Sequence, residues 1–225
     1  MIFELSRPFV FLGMGIGFVV AVLVHNLAQV LTARSMGDSV TRMARRKAIE
    51  PKREFDAFGI IAVVVGGVGW GRPVAMSEQR IGSRRTRYIT ALLVGPLAVV
   101  LLGLAGIAAY TALAGSLATA ANGEGGGTAP NAGLVILGVA SAMCVSVGVL
   151  HLIPLPPLDM ARVMWVLAPT SSGWQKARYN LEEQNWGLGV LVVLSLPLFG
   201  GEGLIIRMVR AMASPLISLV VEAFG

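Results

Sequence analysis

The chain has 225 residues, 55% of them hydrophobic and only 13% charged, and its mean hydropathy of +0.75 excludes an ordinary soluble domain. A net charge of +6 would suit a nucleic-acid binder, but Lys and Arg gather in the loops between long apolar blocks. That is the positive-inside pattern of a membrane protein, so nucleic acid is excluded as a partner and a lipid bilayer is the expected one.

Apolar blocks at residues 9–31, 88–117, 131–153, 187–199 and 204–221 predict about five transmembrane helices in an all-α polytopic fold. The first block has no basic region ahead of it and holds a polar pair, so it reads as a retained helix and not as a cleaved leader. Next comes a basic loop at 33–57 with Arg42, Arg45, Arg46, Lys47 and Lys52, and a second at 75–87 with Arg80, Arg84 and Arg85. Both are expected on the cytoplasmic side. The apolar stretch from 58 to 68 lies between them and cannot cross, so a re-entrant strand or loop is expected near 58–74. Such backbone survives at membrane depth only where protein or trapped water satisfies its amides. A short tilted helix is the alternative.

From Tyr88 to Ala161 there is no Lys or Arg, and midway a Gly-rich turn at 121–130 is expected to face outside. Cys144 lies within an apolar block and reads as a small hydrophobe. Glu182 and Glu183 fall in a polar loop between Trp174 and Trp186, with the aromatics as interfacial anchors. Pro197, Gly200 and Gly201 mark a break before the last helix, where Arg207 and Arg210 snorkel or meet a partner. The whole of 1–225 reads as one transmembrane domain.

Ionisable side chains within spans are costly and therefore functional by default. Three stand out: Asp159 and the only two histidines of the chain, His25 and His151. They could bind a metal, line an ion or proton path, or form a knot of mutually hydrogen-bonded polar groups together with Gln29.

Four ordered segments carry a resemblance. Val24-His25-Asn26-Leu27-Ala28-Gln29, followed by Ala33-Arg34 and Gly37-Asp38, resembles the first helix of site-2-protease-like (M50) enzymes, which carries H-E-x-x-H. His151-Leu152-Ile153-Pro154-Leu155-Pro156-Pro157-Leu158-Asp159-Met160 resembles their N-x-x-P-x-P-P-L-D-G segment. Asp56-Ala57-Phe58-Gly59 with Gly69-Trp70-Gly71-Arg72-Pro73-Val74 is similar to the re-entrant portion of the short bacterial members, and Gly95-Pro96 to the start of their next helix. The resemblance implies a zinc ion held by the two helix histidines and the aspartate, a glutamate base beside the first histidine, and an integral protein of the bacterial inner membrane.

The departures fall on the catalytic positions: Asn26 stands for the base, Gln29 for the second zinc histidine, His151 for the asparagine and Met160 for the glycine. An amide is a poor zinc ligand and has no useful proton affinity. The expectation is therefore a catalytically inactive relative with no catalytic residue and no cofactor, serving as scaffold, accessory subunit or binder of single-span transmembrane segments. The enzyme alternative is a zinc metalloprotease with a rearranged site of His25, His151 and Asp159.

Overall fold

The computed structural model describes residues 6–38, 41, 50–76, 85–124, 131–196 and 202–224, the side chains of 51–52 and 117–124 excepted. Its helices are α1 (Pro8–Ser35), α2 (Pro51–Glu54), α3 (Ala57–Gly66), α4 (Arg85–Glu124), α5 (Ala132–Leu150), α6 (Asp159–Leu167), α7 (Ser172–Arg178), α8 (Trp186–Ser195) and α9 (Leu204–Phe224). One π-helical turn, Tyr179–Glu183, prolongs α7. Among the described residues no strand forms, and the single bridge is antiparallel, between Phe55 and Gly71.

Four helices are long and apolar enough to cross a bilayer: α1, α4 over Arg85–Ser116, α5 and α9. The protein is an all-α, polytopic integral membrane protein. The expected fifth span is corrected, because α8 has ten residues and reaches about 15 Å, half of a hydrocarbon core of roughly 30 Å. It stops where Leu196 turns extended, at φ −76° and ψ 145°, the conformation that a following proline imposes on the residue before it.

The 58–68 stretch is also corrected: α3 is a helix, not a strand. Asp56 starts it by accepting from the Gly59 amide, and Gly67 ends it at φ +88°, a conformation that glycine adopts without strain. A valine run that favours strands elsewhere becomes helix here, since a helix satisfies its own amides at membrane depth and a lone strand does not. A non-helical segment, extended at the Gly71 bridge, follows from Val68 to Met76. It lies so close to α3 that a Cβ on Gly59 would meet the Trp70 carbonyl at 1.9 Å.

α1, α4 and α5 form the central packing unit. Lipid tails are as apolar as side chains, so helices in a bilayer associate through close fit, and small residues permit it. A Cβ at Gly13 would stand 3.1 Å from the Ile136 carbonyl, and one at Gly17 would stand 2.6 Å from that of Ala140. Gly103 of α4 meets Ser141 and Val145 of α5 in the same way, at 2.7 and 2.6 Å. Cys144 is buried there and its thiol lies 3.6 Å from the Gly17 carbonyl.

Residues through Glu124 continue α4 into the stretch where the Gly-rich turn is expected; its remainder, 125–130, lies outside the described residues. So do Arg42, Arg45, Arg46 and Lys47 of the first basic loop, Arg80 and Arg84 of the second, and Pro197, Gly200 and Gly201. The segment of Glu182 and Glu183 is helical instead of looped. Glu182 pairs with Arg178 at 3.0 Å on the surface, and Arg210 pairs with Glu202 at 2.5 Å.

Candidate metal centre

α1 carries His25, Asn26 and Gln29 on its buried face, and α5 delivers His151 at its C-terminus. The chain cannot continue α5, since Pro154, Pro156 and Pro157 have no amide hydrogen to extend the ladder. It folds back within eight residues, and the Met160 amide donates to the His151 carbonyl at 3.1 Å. That bond closes the loop and sets Asp159, the first residue of α6, beside the His151 ring.

The result is a convergence of three elements. Asp159 Oδ2 lies 2.7 Å from His25 Nε2 and 2.9 Å from His151 Nδ1. The two imidazoles stack with centroids 4.1 Å apart and planes tilted by 36°. Each of the three residues is at least 94% buried. Their ligand atoms all lie within 4.8 Å of one another, the arrangement of a site able to hold a metal ion. Asp159 Oδ1 faces Arg162 at 4.0 Å. The same guanidinium donates to the Val74 carbonyl at 3.1 Å and to the Tyr88 hydroxyl at 2.9 Å, so it ties the carboxylate to the extended segment and to α4.

Gly95 and Pro96 of α4 shape the other side. A Cβ at Gly95 would lie 2.7 Å from Gln29 Cγ and 2.9 Å from His25 Nε2, so only glycine leaves these side chains their place. Pro96 cannot donate to the carbonyl four residues back, that of Leu92. Gln29 Nε2 occupies this vacant acceptor at 2.9 Å. Its other end, Oε1, is buried and finds no hydrogen-bond partner among the described residues. An unpaired buried oxygen costs about 1–3 kcal/mol.

A zinc ion fits this donor set. Two imidazole nitrogens and one carboxylate oxygen are the three protein ligands zinc takes in open sites, and here they come from His25, His151 and Asp159. Among the expected degenerate positions, Met160 contributes only its backbone.

Sequence reasoning missed Glu54. It is fully buried and accepts from Asn26 Nδ2 at 2.6 Å, while its other oxygen accepts from the Glu50 amide at 3.1 Å. Nothing in its immediate sequence marks it. The one signal was its place just ahead of Asp56-Ala57-Phe58-Gly59, the start of the region expected to fold back under the helices.

Fold and site together describe an all-α membrane protein with a buried His–His–Asp cluster able to hold a metal ion. The chain is similar to a Bacillus subtilis (strain 168) protein named "Putative zinc metalloprotease YwhC", with 26% identity over 155 residues, 68% of this chain and 68% of that protein. The similarity supports a metalloprotease-like family. No family profile and no solved structure matches the chain.

Proposed function

We propose that the protein is a zinc-binding, site-2-protease-like membrane protein that holds peptide segments at its centre and hydrolyses them little or not at all. The observation carrying this reading is the meeting of His25, His151 and Asp159 around one point. His25, His151 and Asp159 would be the metal's ligands, with His151 replacing the histidine that Gln29 cannot supply. Bound there, zinc would provide a Lewis acid for a peptide carbonyl.

The chain's own groups do the rest. Arg162 holds one oxygen of Asp159 and leaves the other to the histidines. The extended segment reaches the edge of the site, where Arg72 and Val74 accept through their carbonyls from Asn26 and Arg162. Asn26 cannot take a proton from water, and loss of general-base catalysis costs about 10²- to 10⁴-fold in rate. The basic residues of 33–57 and 75–87 support a cytoplasmic position for these loops and an inner-membrane location. Membrane-protein subunits or single-span segments are the partners that such a site suits.

Elemental analysis of the protein purified in nanodiscs tests the reading. One zinc per chain is expected, lost on His151→Ala, together with no cleavage of a membrane-embedded peptide. A wild type devoid of zinc refutes the metal site, and chelator-sensitive cleavage refutes the lack of hydrolysis.

A further inference from the structure

The buried carboxylate of Glu54 has no part in holding a metal, yet it lies one hydrogen bond from the helix that does. Asn26 is the link. Its Nδ2 donates to Glu54 Oε2 at 2.6 Å and to the Arg72 carbonyl at 3.2 Å. A peptide carbonyl only accepts, so the amide nitrogen must face it and the Glu54 carboxylate beside it. The amide oxygen is thereby turned to His25 Nδ1, at 2.9 Å. Oxygen of an amide also only accepts, and Nδ1 must therefore carry a hydrogen. The other ring nitrogen, Nε2, is the one that meets Asp159 and His151.

The backbone secures Glu54 for this task. Its carbonyl accepts from the Arg72 amide at 2.7 Å, and Phe55 bridges to Gly71, so α2 and the extended segment arrive at Asn26 as one unit. A Cβ on Gly71 would stand 2.6 Å from Val22 Cγ1, which fixes this unit against α1 one turn before Asn26.

We infer that Glu54 is a positioning residue: through the Asn26 amide it fixes the hydrogen on His25 Nδ1 and so presents Nε2 to the metal-binding point. A metal-bound histidine is commonly oriented by a carboxylate or carbonyl on its far nitrogen, and here an asparagine stands between the two. The position where the resembled enzymes keep a base is used instead to aim a ligand. The purpose assigned to Glu54 rests on the metal reading, but the hydrogen on Nδ1 can be read without any metal.

The test is nitrogen-15 NMR of histidine-labelled protein in nanodiscs, with the two rings assigned through His151→Gln. A protonated His25 Nδ1 is expected with and without added zinc. Glu54→Leu leaves the amide nitrogen only its longer bond to the Arg72 carbonyl, so the amide turns its NH₂ toward the ring in part of the molecules, Nδ1 loses its hydrogen there and zinc affinity falls about 10- to 100-fold. Glu54→Gln keeps an oxygen that accepts from Asn26 and restores the wild-type spectrum. A bare Nδ1 in the wild type overturns the inference without need of a variant that folds, as does an unchanged spectrum in Glu54→Leu. A protonated Nδ1 in a protein that takes up no zinc supports the role of Glu54 and overturns the metal reading alone.

Discussion

The two halves of α1 are held by opposite means. From Gly13 to Phe18 the helix meets α5 by close approach, glycine against the carbonyls of Ile136 and Ala140, with the Cys144 thiol 3.6 Å from the Gly17 carbonyl. From His25 to Gln29 it is held by directed bonds to Asp159, Glu54, Arg72 and Leu92. In lipid, burial of apolar surface hardly distinguishes one helix arrangement from another. Shape therefore sets the distance between the helices in the first half, and polar pairing sets the register in the second.

The sharpest break of this contrast is Gly17→Leu. Its Cβ alone would lie 2.6 Å from the Ala140 carbonyl and 2.8 Å from Met143 Cβ. Backbone has to move, and a loss of about 1–3 kcal/mol or more is expected, measured as a lower midpoint of thermal unfolding in nanodiscs. A stable Gly17→Leu protein would show that close approach does not fix this half.

Gln29→Leu probes the other half with a smaller effect. It leaves the Leu92 carbonyl without its donor, at a cost of about 1–3 kcal/mol, but also removes an unpaired buried oxygen that costs about as much. The net change is expected within about 1 kcal/mol by the same melt. A larger loss would mean that Gln29, and not the Asp159 pairs, anchors this end. Least of all should follow from Leu101→Ala: that side chain is 66% exposed toward the lipid, and a change within about 0.5 kcal/mol is expected.

The polar half of α1 was legible in the sequence and the glycine half was not. His25, His151 and Asp159 interrupt apolar runs, and their rarity there makes them conspicuous. Gly13 and Gly17 blend into the same background, and what they touch is chiefly main chain, which leaves little complementary side chain to find. Glu54 escaped because it lies in a basic, polar stretch that reads as solvated loop, and only the bridge of Phe55 to Gly71 carries it inward. The stretch of Ala57–Gly66 is expected as a re-entrant strand or loop, with a short tilted helix as the alternative, because valine and glycine favour extended chain; the helix forms since it satisfies its amides from within. α8 was drawn too long because hydropathy does not register the stop that Pro197 imposes on Leu196.

The proline in α4 bears on how the molecule assembles. Inserted by itself, α4 would expose the Leu92 carbonyl to hydrocarbon, a burden of several kcal/mol for each unmet polar group. Gln29 of α1 relieves it. The early helix thus acts as an acceptor-filling chaperone for the later one, and a chain that left the translocon with these two spans apart would carry a mark by which unassembled protein differs from finished protein.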